Sequence, residues 1–367
     1  MSLTRKLHVI SQELKAHREA RRAAGCLEIL ILYVTTHCNL RCGHCFYADN
    51  LNDGTQDLPP DRVRTIFQTM PFIREEIAIT GGEPFLHRKL PELVRHIHDS
   101  PSSRDIQINT NGWYVDRTVG YCRDMQGWNR KRISIQISLD GLEKTHDAIR
   151  GMPGSFQKAM ATASELRKLA HYSEPGFFTP VFLMIVNRDN YQDIRPLSEL
   201  IRKEFGICLG LELVRGTDFS AWGIPEDIQE KSYNPPEIPL PPEAAWDSIY
   251  AEVRAMNREM DYPFRLFLSK FREQFEMLRK KRSRVRCVAP DGITPVIYSN
   301  GDVAVCEFSR PFANLADFED SFMALWNSPQ SLAQREKLRC CSCTHACFLV
   351  PSMRRDLRSN LRLLVDL

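Results

Sequence analysis

The chain has 367 residues, 43% hydrophobic and 26% charged, with 49 basic against 46 acidic side chains and a net charge of +3. That balance is globular: it excludes disordered and fibrous classes, a nucleic-acid coat and a membrane sheath, and the length favours two domains. The longest apolar strings, Ile29–Val34 and Val181–Val186, fall far short of the ~20 residues that span a bilayer.

The basic N-terminus lacks the apolar core of a signal peptide, so a soluble, cytoplasmic protein without a transmembrane segment is expected. Twelve cysteines in that setting point to metal rather than to disulfides, because cytosolic thiols stay reduced. Three lie in Cys38–Cys45 and six in Cys287–Cys347; Cys26, Cys122 and Cys208 stand alone and read as ordinary small residues.

Residues 1–26 carry an apolar stripe, Leu3, Leu7, Ile10 and Leu14, among basic residues, which reads as an amphipathic helix packed on the domain. Over 27–216 strand-like runs alternate with helical spacing. Candidate strands are Ile29–Thr35, Glu76–Thr80, Ile106–Asn109, Ile133–Leu139, Val181–Val186 and Cys208–Val214, with helices at Pro60–Met70 and Pro91–Ser100 among the segments between them. Six such units predict an α/β fold, a parallel sheet curled into a partial (β/α)6 barrel, with its working loops after the strand C-terminal ends. Residues 217–286 form a connector and insert: six prolines fall between Pro225 and Pro242, and one helical segment runs from about Ala244 to Arg282. The basic run Arg279–Arg286 reads as a solvated face. Residues 287–350 are loop-rich, with a hairpin turn at Ser299–Asp302, and 351–367 form a last amphipathic helix with Leu357, Leu361 and Leu364 on its stripe.

Cys38-Asn-Leu-Arg-Cys42-Gly-His-Cys45 directly follows the first strand. Three thiolates on one loop can hold three irons of a cubane cluster and leave the fourth iron open to an exogenous ligand. Zinc wants four protein ligands, and no fourth cysteine lies nearby.

These residues resemble the radical S-adenosylmethionine (radical SAM) enzymes, over roughly Leu27–Gly216. The resemblance implies a [4Fe–4S] cluster on Cys38, Cys42 and Cys45, with His44 where the family has an aromatic or histidine. It implies that Gly81-Gly82-Glu83-Pro84 meets the methionine amino group of SAM through backbone carbonyls and the acidic side chain. Asn111, Ser138, Asp140 and Arg150 belong to the same expected SAM-binding set, with Ser138 and Arg150 on the ribose and carboxylate.

The pattern Cys287-x13-Gly301-x4-Cys306, followed by Cys340, Cys341, Cys343 and Cys347, resembles the C-terminal auxiliary-cluster region of such enzymes, called SPASM or, in its shorter form, twitch. Six thiolates are too few for two fully ligated cubanes, so the resemblance implies one auxiliary [4Fe–4S] cluster in a twitch-like domain. Cys287 and Cys306 are expected ligands, with two more from Cys341, Cys343 and Cys347; Cys340 reads as the spare. A zinc site from the same thiolates is the alternative.

The implied activity is reductive cleavage of SAM to a 5′-deoxyadenosyl radical that abstracts hydrogen from a small or medium biosynthetic intermediate. An auxiliary cluster would accept or relay an electron, and a flavodoxin or ferredoxin would supply one. Arg215, at the end of the sixth strand, would face an anionic group. A maturase of ribosomally made peptides is the alternative, although only 26 residues precede the first strand and leave no room for a leader-binding domain. An RNA-modifying enzyme would use Arg279–Arg286 on phosphates, but the balanced charge argues against nucleic acid. A non-catalytic electron-transfer protein would not need the SAM-contacting set.

Overall fold

The computed structural model describes residues 26–102, 105–128, 131–171, 178–215, 221–230, 238–259, 265–317, 321–356 and 358–359. Gly216 and both terminal stripes (Leu3, Leu7, Ile10 and Leu14; Leu357, Leu361 and Leu364) lie outside the described residues.

Six strands stand side by side in chain order, each parallel to the next: β1 (Leu27–Thr35), β2 (Ile73–Gly81), β3 (Asp105–Thr110), β4 (Arg132–Ser138), β5 (Thr179–Val186) and β6 (Leu209–Leu213). The crossovers are α1 (Pro60–Thr69), α2 (Leu90–Asp99), α3 (Val115–Asp124), α4 (Glu143–Arg150) with α5 (Ser155–His171), and α6 (Ile194–Phe205). This is the α/β architecture that the alternation predicts. α1 shows why such segments become crossovers. Pro60 suits a first helical turn, and Val63, Ile66 and Phe67 supply the buried stripe.

The strand faces divide by chemistry. On β3 and β4, Ile106, Ile108, Ile133, Ile135 and Ile137 are fully buried, each contributing roughly 1.5–3 kcal/mol. The alternate positions Gln107, Asn109, Gln136 and Ser138 line the cavity of the curled sheet. The two faces therefore carry different tasks: an apolar face holds the fold and a polar face surrounds a ligand space.

Beyond β6 come β7 (Ala221–Trp222), α7 (Glu243–Glu259) and α8 (Arg265–Lys280). The single helical segment expected over Ala244–Arg282 is thus two helices. Pro263 falls between them in the sequence, and proline removes a backbone donor and clashes with the preceding turn. In the basic run, Arg279 pairs with Asp247 (2.8 Å), Arg284 with Glu276 (2.6 Å) and Arg286 with Asp291 (2.6 Å).

The C-terminal part comprises β8 (Val296–Ile297), β9 (Asp302–Ala304), β10 (Ala313–Asn314), α9 (Phe322–Trp326), α10 (Pro329–Lys337), β11 (Ser342–Cys343) and α11 (Ala346–Arg355). The expected hairpin forms between β8 and β9. It also continues the barrel sheet, because Val296 and Ile297 pair in parallel with Ile31 and Leu32 of β1. α11 lines the same cavity through Ala346, Cys347 and Val350. Its far end is tied to the strand starts by Arg354–Glu75 (2.5 Å) and Arg355–Glu28 (2.6 Å). Among the described residues no helix is long and apolar enough to cross a membrane.

Candidate active site

The loop after β1 is fixed at both ends. Asn52 clasps Cys38 by two hydrogen bonds, accepting from its N–H (3.1 Å) and donating to its carbonyl (3.0 Å). Cys45 N–H closes a turn on Cys42 O (3.0 Å), and Gly43 N–H donates to Ile149 O at the end of α4 (3.0 Å). Cys38, Cys42 and Cys45 all line one cavity. Burial pushes the Cys38 thiol up to about 12 and the Cys45 thiol to about 11. Cys42 is raised by the same burial, with the Arg150 guanidinium opposing it. Loading a metal on these thiols therefore displaces protons.

Gly81 and Gly82 bring the turn after β2 against this loop. Gly82 N–H donates to Thr35 O (2.8 Å) and Glu83 N–H to His37 O (2.7 Å). A Cβ on Gly81 would lie 2.4 Å from Thr35 O and one on Gly82 2.3 Å from His37 O, and Gly81 has φ +136°. No larger residue allows that approach.

The Glu83 side chain, which the resemblance assigns to SAM, is buried and is not among the residues that line the cavity. Its buried carboxylate accepts from Asn111 N–H (2.7 Å), Thr110 Oγ1 (2.8 Å) and Phe85 N–H (3.1 Å). It braces the turn after β2 to the turn after β3 and so aims Asn111, which does line the cavity. Burial raises its carboxyl to about 7 against those hydrogen bonds. Pro84 is buried at the start of the helical turn that follows. Asp140 is also interior. It accepts from Ile185 N–H (2.9 Å) and pairs with Arg150 (2.6 Å), with His44 3.7 Å away. Burial opposes its ionisation, but Arg150 and His44 outweigh it and hold the carboxyl below the usual range. Asp140 therefore orients Arg150, which lines the cavity with Ser138 and His44 and also reaches Cys42 Sγ (3.5 Å). Burial holds the His44 imidazole down at about 4.

The cavity measures about 510 Å³, within the usual range of ligand sites. Arg150 Nε and His44 Nδ1 are buried beside the three thiols without a hydrogen-bond partner. Three thiols on one loop, flanked by waiting donors, suit a cubane whose open iron takes an anionic ligand. Among the described residues no three His, Cys, Asp or Glu side chains converge as a single metal ion requires.

The far wall was not legible in the sequence. Arg215, expected to face an anionic group, lines the cavity but is engaged within the protein. It pairs with Glu307 (3.2 Å), lies 2.7 Å from His345 Nε2 and stacks on Phe46 at 3.5 Å. Tyr33 and His345 also hydrogen-bond Glu307. Lys270 from α8 pairs with Glu212 (2.7 Å). The only available signals were adjacency and alternation: Glu307 follows Cys306, and Glu212 sits on a barrel strand.

The C-terminal cysteines separate into two groups. The Cys287 and Cys341 thiols share a hydrogen bond, which lowers Cys287 and raises Cys341. Cys306 and Cys343 are raised by burial and by the nearby thiols of this set. Cys347, which the sequence left among the candidate ligands, lines the barrel cavity instead. There Glu307, Arg215, Glu76 and Glu212 act on it, after a burial that pushes it well up. It lies in the first turn of α11. Cys340 is exposed.

A parallel (β/α)6 sheet with a three-cysteine loop at its mouth defines the class: residues 32–201 match the Radical SAM superfamily and form a Radical SAM domain. Members of this superfamily use SAM and a [4Fe–4S] cluster. The chain is similar to the Fe-coproporphyrin III synthase of Methanosarcina barkeri, 26% identical over 339 residues, covering 86% of this chain and 80% of the relative. Its fold is similar to that of native anSMEcpe with bound AdoMet (TM-score 0.57, 15% identity, 83% of this chain and 82% of that one). It is likewise similar to Streptococcus suis SuiB bound to precursor peptide SuiA (TM-score 0.56, 14% identity, 88% and 70%).

Proposed function

We propose that this enzyme binds SAM at the mouth of the barrel and abstracts hydrogen from a small or medium biosynthetic intermediate held deeper in the cavity. The observation that carries the reading is the convergence of Cys38, Cys42, Cys45, Arg150 and Asn111 on one cavity of about 510 Å³. When bound, a [4Fe–4S] cluster on the three thiolates supplies the electron that cleaves SAM to methionine and a 5′-deoxyadenosyl radical.

The chain's own residues bind and orient. Arg150, held by Asp140, offers its guanidinium to the SAM carboxylate. The Gly81–Gly82 turn lets the backbone approach the methionine end, and Glu83 keeps Asn111 aimed beside it. Ser138 contacts the ribose. The apolar walls from Ile29, Ile31, Leu183 and Ile185 keep water from the reacting C–H bond. The relative named Fe-coproporphyrin III synthase, matched along most of both chains, supports a compact intermediate over a peptide.

In this reading Cys287, Cys306, Cys341 and Cys343 hold one auxiliary [4Fe–4S] cluster in residues 287–350. Their mutual interaction supports the set. The Arg215–Glu307–His345 group lies between it and the substrate space, since Glu307 follows Cys306 and His345 lies two residues past Cys343.

The test is reduction of anaerobically reconstituted protein with dithionite in the presence of SAM. Wild type yields 5′-deoxyadenosine, and the triple variant Cys38→Ala, Cys42→Ala, Cys45→Ala yields none. Product from the triple variant, or none from wild type, overturns the reading.

A further inference from the structure

Six charged side chains line the barrel cavity: Glu76, Arg150, Glu212, Arg215, Lys270 and Glu307. Five are paired within the protein. Arg150 is held by Asp140, Arg215 by Glu307, and Lys270 by Glu212. Glu76 alone makes no hydrogen bond or ion pair among the described residues. The two cations whose charges act on it, Arg354 and Arg132, make their ion pairs with Glu75 (2.5 Å) and Asp105 (2.8 Å).

Its depth separates it from the SAM end. Glu76 lies four residues before Thr80 on β2, roughly 13 Å below the strand end at about 3.3 Å per residue. Ala78, the inward position between them, is small, so a shaft stays open from the Gly81–Gly82 turn down to Glu76. The neighbouring strands add acceptors. Gln107 and Gln136 both donate their amide N–H to Asn109 Oδ1 (3.3 and 3.1 Å), which leaves their carbonyl oxygens as hydrogen-bond acceptors. A half-buried carboxylate that faces the cavity without a hydrogen bond or ion pair, beside two free amide oxygens, forms a site for a donor.

We propose that Glu76 is a substrate-recognition carboxylate that binds the buried end of the substrate through a cationic or N–H-bearing group: an amine, a guanidine or an amide. The inference rests on the barrel cavity being the substrate site of the radical reaction. Burial, with Glu75 and Asp105, raises the Glu76 carboxyl to about 7 against the opposing charges of Arg354 and Arg132, and a cationic ligand would favour its ionised form. The substrate therefore enters with its donor-bearing end first and leaves its reacting C–H bond near the mouth.

The experiment uses the full chain, cluster-reconstituted and saturated with SAM under anaerobic conditions. Two probes of matched length, n-butylguanidinium and n-butyrate, are titrated by calorimetry. Wild type binds the guanidinium at least ten-fold more tightly than the carboxylate. Glu76→Gln loses that preference, with iron content and melting temperature confirming that it folds. Ala78→Phe fills the shaft and abolishes guanidinium binding while keeping the carboxylate of Glu76. Equal binding of both probes, binding of neither, or an unchanged preference in Glu76→Gln overturns the proposal. Formation of 5′-deoxyadenosine by wild type, measured in parallel, reports on the radical reading alone and separates the two failures.

Discussion

Arg150 shows how much of a site residue's role lies in its partners. The sequence spacing to Ser138 singles it out for the SAM carboxylate. The structure adds that Asp140 holds it at 2.6 Å and leaves Nε buried without a partner. Arg150→Ala removes a charge-assisted contact of roughly 1.5–3 kcal/mol. SAM affinity, measured by equilibrium dialysis on reconstituted protein, should fall about ten- to a hundred-fold with the iron content retained. Unchanged affinity would confine Arg150 to supporting Asp140. The acidic residues of the motifs were harder to read. Glu83 and Asp140 stand in the expected turns, yet both point inward, because their partners Asn111 and Ile185 come from other strands. The direction of a side chain depends on those neighbours, and no local spacing reports it.

At the scale of elements, long segments with a clear period were legible and short ones were not. Five-to-nine-residue strands such as β1 and β6 carry continuous apolar or alternating patterns, so all six barrel strands were found within a few residues of their bounds. The two-residue strand β8 carries no period of its own; only its pairing with Ile31 and Leu32 defines it. The turn after β2 is the element whose substitution should be most telling. Gly82→Ala would put a methyl 2.3 Å from His37 O and force the turn off the cysteine loop. Iron retention at that loop and SAM binding should both fall in reconstituted Gly82→Ala, read by iron analysis and dialysis. Gly120→Ala, whose Cβ meets nothing within 4 Å, should change neither.

At the scale of the whole molecule, one sheet joins the barrel to the region of the C-terminal cysteines. That continuity gives Cys306 a position just past β9 and places Cys347, by way of α11, inside the barrel cavity. The sequence groups Cys347 with the other C-terminal thiols because they are neighbours in the chain, and the cavity lining is what favours leaving it out of the proposed auxiliary set. Two cysteine sets would then each hold one cubane, and an iron count distinguishes this from a single cluster. Reconstituted wild type should carry about eight irons per chain, four per cubane. The triple variant of Cys38, Cys42 and Cys45 should keep about half, as should Cys306→Ala, the latter with a lowered melting temperature because metal binding supplies folding free energy. Cys347→Ala should keep all of them. About four irons in wild type, or the loss of a cluster's worth in Cys347→Ala, would contradict the account.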